Sequence, residues 1–216
     1  MTLLIKICGL RTPEALDAAL TAGADMVGFV FFPPSPRNVG VQAARVLGKR
    51  VRGRAQKVAL SVDATNAELA LAVEALKPDL LQLHGKETPE RVAEVKARTG
   101  LPVMKALGIA TARDVVAAAA YERVADMLLF DAKPPEDATR PGGNALAFDW
   151  SLMRAYAGPL PWMLAGGLTR ANVVAAIKAS GARMVDVSSG VETRPGQKSP
   201  AKIRSFLAAV DAAQTA

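Results

Sequence analysis

Two stretches decide how the chain folds: Trp162-Met163-Leu164-Ala165-Gly166-Gly167-Leu168-Thr169, and further on Met184-Val185-Asp186-Val187-Ser188-Ser189-Gly190. Each is a short apolar run that ends abruptly in small residues. Between them Val173-Val174-Ala175-Ala176-Ile177 is apolar at helical rather than alternating spacing. A change of period from strand to helix and back implies two parallel strands joined by a helical crossover.

The same unit repeats back to the N-terminus. Strand-like runs occur at Leu3–Ile7, Met26–Val30, Lys57–Val62, Leu80–Leu83, Val103–Leu107 and Met127–Phe130, which with Trp162–Ala165 and Met184–Val187 makes eight. Helix starts lie between them. Thr12-Pro13-Glu14 and Thr88-Pro89-Glu90 combine a capping hydroxyl, proline in the first turn and an acid. Thr65-Asn66-Ala67-Glu68 has capping-box spacing, and Thr111, Thr169 and Ser199 are three further candidate caps. Eight such units close into an α/β fold, a single-domain (β/α)8 barrel over residues 1–216. An open doubly wound sheet is the alternative. It calls for a glycine-rich dinucleotide turn after the first strand, where this chain has Ile7-Cys8-Gly9-Leu10.

Composition agrees with one globular unit: 216 residues, 50% hydrophobic and 22% charged. The lone Cys8 forms no internal disulfide, and the N-terminus lacks a signal-peptide pattern, so a cytoplasmic address and no membrane partner are expected. A net charge of +7 attracts phosphorylated small molecules. The one dense basic run, Lys49, Arg50, Arg52, Arg54 and Lys57, lacks interleaved aromatics and reads as a solvated helix end rather than a nucleic-acid site. The dispersed charge suits a monomer or a homodimer.

Barrel chemistry gathers at the C-terminal strand ends. There the chain places Cys8, Ser35-Pro36-Arg37, His84, Asp131, Gly166-Gly167 and Ser188-Ser189-Gly190. The last two sets are suited to an anion, because glycines let backbone N–H groups face one and the loops after strands seven and eight commonly take phosphate. Asp131, after four apolar residues, reads equally as a general acid or as a cap or surface partner of Lys133. Cys8 reads as a buried small hydrophobe or, as thiolate, a base. Strand alternation puts Lys6 with Cys8 and Asp186 with Ser188, so a Lys6–Asp186 pair is expected where the barrel closes. Arg37 follows the stiff run Pro33-Pro34-Ser35-Pro36 and reads as a carboxylate grip or a solvent-facing loop arginine. His84 is the only histidine, which excludes a multi-histidine metal site. Lys105 is weak evidence for Schiff-base chemistry.

The set Lys6-Ile7-Cys8-Gly9, Ser35-Pro36-Arg37, Gln82-Leu83-His84-Gly85, Phe130-Asp131, Phe148-Asp149-Trp150, Leu164-Ala165-Gly166-Gly167-Leu168 and Asp186-Val187-Ser188-Ser189-Gly190-Val191-Glu192 resembles the phosphoribosylanthranilate isomerase family over nearly the whole chain. The resemblance implies an Amadori rearrangement in tryptophan biosynthesis, without cofactor or metal. It implies Cys8 as general base, Asp131 as general acid and Arg37 near the anthranilate carboxylate. His84, Gly166, Gly167, Ser188, Ser189 and Gly190 complete the expected substrate contacts. The chain departs from the pattern at Asn144-Ala145, after Gly142-Gly143. Rival readings are another phosphosugar barrel isomerase, or a non-catalytic phosphate-binding barrel.

Overall fold

A computed structural model describes residues 3–134, 141–143 and 146–215. Eight parallel strands close a barrel: β1 (Leu4–Cys8), β2 (Met26–Phe31), β3 (Gln56–Ser61), β4 (Leu80–Leu83), β5 (Val103–Ile109), β6 (Met127–Ala132), β7 (Trp162–Leu164) and β8 (Met184–Val187). Closure runs through β1 and β8, with Lys6 opposite Asp186 and Ile7 opposite Val187. Outside lie α1 (Pro13–Thr21), α2 (Val41–Val51), α3 (Asn66–Leu76), α4 (Pro89–Thr99), α5 (Ala112–Ala117), α6 (Val173–Ser180) and α7 (Pro200–Thr215). A two-stranded hairpin, β9 (Glu192–Arg194) and β10 (Gln197–Lys198), follows β8.

Capping starts most helices where the sequence predicts. Thr12 and Thr88 accept from the backbone N–H three residues on, Thr65 and Thr111 form capping boxes, and Ser199 Oγ accepts from Lys202 N. Thr169 differs: the helix starts later, with Asn172 in the cap position. Asn172 Oδ1 accepts from Thr169 N, and its Nδ2 donates to Gly167 O at 3.0 Å, so this residue braces the turn after β7. The crossover from β6 to β7 also differs. Among the described residues it carries a 3₁₀ helix, Trp150–Ala155, and no α-helix, because Gly158, Pro159 and Pro161 stop the helical run.

Strand alternation sorts the core into two shells. Outward residues such as Ile5, Val27, Phe29, Leu81, Phe130 and Val185 pack under the helices. Inward residues fill the barrel, whose lower layers are apolar: Met26, Val58, Leu80, Met104, Leu129, Met163 and Met184. Lys105 lies on the outward side, between Met104 and Ala106 of the inner cluster, and pairs with Glu87 at 2.8 Å. It is a structural cation rather than a candidate imine former. The basic run ends α2 at the barrel face opposite the strand C-termini, where Arg50 pairs with Asp17. No described helix is long and apolar enough to cross a membrane.

Candidate active site

Above the apolar layers the barrel interior becomes ionic. Lys6 is fully buried and donates from Nζ to Asp186 Oδ1 at 2.9 Å, the pair that alternation predicts. Cys8, one inward position higher on β1, stands beside it: a Cβ on Gly28 of the neighbouring strand would lie 3.0 Å from Cys8 Sγ and 3.2 Å from Lys6 Nζ. Burial pushes the Cys8 thiol up, and Asp186 adds to that; Lys6 and Lys198 pull the other way without cancelling it. Burial alone would lower the Lys6 ammonium, yet Asp186 and then Cys8 hold it above the usual lysine range.

Asp131 is the penultimate residue of β6, inside the strand rather than after it. Its Oδ1 accepts from Ala132 N at 2.8 Å, and its Oδ2 lies 3.4 Å from His84 Nε2. Gln82, on the inward face of β4, places its Nε2 3.0 Å from His84 Nδ1. The alternative partner of Asp131, Lys133, instead reaches toward Asp114. A Cβ on Gly142 would come within 2.7 Å of both Asp131 Oδ2 and His84 Nε2, so the chain after β6 passes directly over this pair.

Cys8, His84, Asp131 and Asp186 border two adjoining clefts at the mouth. One cleft lies among Gly166, Gly167, Ser188 and Ser189. Gly166 and Gly167 have φ of +83° and +62°, a left-handed pair that side-chain-bearing residues adopt only with strain. The other cleft is lined by Cys8, Arg37, His84 and an apolar wall of Val30, Phe32, Leu60 and Val62. Asp131 and Asp186 belong to both. Gly190 is among neither set of lining residues. It sits in the turn Ser189–Val191, against Leu168 O, where a Cβ would not fit.

Arg37 is not the solvent-facing loop arginine that its sequence context also allows. It is buried, and its Nε and Nη2 both bond Glu192 at 2.8 Å, because a guanidinium removed from water needs a counter-charge. Nη2 also reaches Gly143 O at 3.2 Å, and only Nη1 is without a hydrogen-bond partner among the described residues. The sequence reading assigned no role to Glu192, Lys198 or Asn172; the polar end of the Val187–Glu192 segment is the one signal that could have flagged Glu192. The departure at Asn144-Ala145 lies outside the described residues.

Fold and site together define a (β/α)8-barrel protein with a thiol, a carboxyl and an arginine converging at the C-terminal mouth. A profile of the N-(5'phosphoribosyl)anthranilate (PRA) isomerase family matches residues 5–209. An N-(5'-phosphoribosyl)anthranilate isomerase of Nitrobacter hamburgensis is 58% identical over 214 residues, 99% of this chain and 95% of that protein. A phosphoribosyl anthranilate isomerase structure from Thermotoga maritima superposes with a TM-score of 0.85 at 31% identity, covering 98% of this chain and all of that one. Another isomerase structure, in complex with reduced 1-(o-carboxyphenylamino)-1-deoxyribulose 5-phosphate, gives a TM-score of 0.82 at 29% identity, covering 98% and 100% of the two chains. The chain belongs to the N-(5'-phosphoribosyl)anthranilate isomerase family and is an isomerase of tryptophan biosynthesis.

Proposed function

We propose that this chain opens the furanose of N-(5-phosphoribosyl)anthranilate and rearranges it to 1-(2-carboxyphenylamino)-1-deoxyribulose 5-phosphate, with Asp131 as acid and Cys8 as base. Asp131 delivers a proton to the ring oxygen while the aniline nitrogen pushes the C1–O bond open, leaving an iminium ion. The iminium acidifies the adjacent C2–H, and the Cys8 thiolate removes that proton to give an enolamine, which tautomerises to the ketose. Phosphate binding between Gly166-Gly167 and Ser188-Ser189 orients the sugar from a distance. The anthranilate ring lies against Val30, Phe32, Leu60 and Val62, with its carboxylate at Arg37 Nη1.

The observation that carries this reading is the sharing of Asp131 by the two clefts. A phosphate in one and an aromatic acid in the other put the bond between sugar and aniline beside that carboxyl. Turnover of freshly generated phosphoribosylanthranilate, followed by fluorescence, tests it. Cys8→Ser and Asp131→Asn should each lose about 10²–10⁴-fold in kcat with the fold intact, the range for a positioned acid or base. Near-normal rates in either variant would remove that residue from the mechanism.

We further place the reaction in the cytoplasm, in a monomer or a homodimer; the unpaired thiol supports the first. The Thermotoga maritima relative is described as dimeric, with monomers generated from it.

A further inference from the structure

Glu192 is buried at the start of the hairpin after β8, and its carboxylate takes three bonds from two cations. Arg37 supplies Nε and Nη2, and Lys198 Nζ adds a bond of 2.8 Å to Oε1. Lys198, on the returning strand of the same hairpin, also donates to Ser188 O at 2.9 Å and Ser188 Oγ at 3.1 Å. Ser188 Oγ in turn donates to the backbone carbonyl of Cys8 at 3.2 Å. One short strand pair thus ties the arginine side of the mouth to the Ser188-Ser189 side.

Stability alone does not account for such a cluster, since apolar replacements of buried ion networks are often neutral or stabilising. Its geometry serves another end. With Nε and Nη2 both bonded to Glu192, the guanidinium plane is fixed, and Nη1 is left beside Gly143, which lines the same cleft as Arg37. We propose that Glu192 and Lys198 are positioning residues for the isomerisation: Glu192 sets Arg37 for the substrate carboxylate, and Lys198 sets the Ser188 loop for the phosphate. This inference rests on the carboxylate–Arg37 contact proposed above.

The test compares phosphoribosylanthranilate with N-(5-phosphoribosyl)aniline, which lacks the carboxylate. Arg37→Met first checks the underlying contact: it should abolish the preference for the carboxylate-bearing substrate, and retention of that preference would overturn both readings. Glu192→Gln should raise KM for the carboxylate-bearing substrate by about tenfold to a hundredfold, as for a lost charge-assisted bond, with kcat and the KM of the aniline compound little changed. Glu192→Asp should recover part of the loss. Loss of the preference in Arg37→Met but not in Glu192→Gln would overturn this inference alone. Lys198→Met should raise KM for both substrates equally and weaken inhibition by inorganic phosphate; unchanged values remove Lys198 from the scheme. If Glu192→Gln does not fold, Glu192→Gln/Lys198→Met, which removes one charge of each sign, carries the same carboxylate readout.

Discussion

The lower half of the barrel interior and its mouth use the same strands and the same alternation, yet their contents are opposite. Below, Met104, Leu129 and Met163 are buried among apolar neighbours and contribute stability by leaving water. Above, Lys6, Asp131, Asp186 and Glu192 are nearly as buried but charged or chargeable, each held by named partners. Desolvation there works against the ionised forms, and pairing has to offset it. The contrast teaches that a closed barrel can separate holding itself together from handling a substrate along one axis, a few residues apart on each strand.

Breaking the ionic layer should have the largest effect on folding. Lys6→Met leaves Asp186 buried without its cation and should cost about 3–5 kcal/mol in urea unfolding, whereas Lys6→Met/Asp186→Leu should recover most of that. If both variants lose equally, the two ends of the barrel do not differ as described. In the apolar layer, Met163→Ala should cost about 2–5 kcal/mol while the folded enzyme keeps its kcat. A fall in kcat without loss of stability would show that the lower layer also shapes the site.

The pH response sharpens the contrast further. Burial raises the Cys8 pKa, so alkylation of the Cys8 thiol should have its midpoint above the ordinary thiol value of about 8.5. Asp186 adds to that rise, so Asp186→Asn should move the midpoint of Cys8 alkylation to lower pH; an unmoved or higher midpoint contradicts the coupling. The smallest effect is expected outside both layers. Thr65→Ala removes a capping box on the helix ring and should cost about 1 kcal/mol with unchanged kinetics.

Much of this was legible along the chain. All eight strands fall within a few residues of their predicted runs, because a strand buried in a parallel barrel is a short apolar block between polar breaks. Lys6–Asp186 followed from parity and closure alone. Less legible was the start of α6, where the Asn172 side chain, by bracing Gly167 O, replaced the Thr169 cap. The placement of Asp131 within β6 was missed because an apolar run marks where hydrophobic side chains end, not where strand pairing or burial does.

By itself the sequence determined the periodic alternation, the helix starts and the inventory of reactive side chains, since these depend on local spacing and on chemistry carried by single residues. Only the tertiary structure decided what each reactive group faces. Arg37 and Glu192 are far apart in the chain, and their bidentate pair exists because the loop after β2 and the hairpin after β8 meet at the same mouth. Asp131 joins the two clefts for the same reason: barrel closure brings distant strand ends within one substrate's reach, and no local pattern encodes that distance.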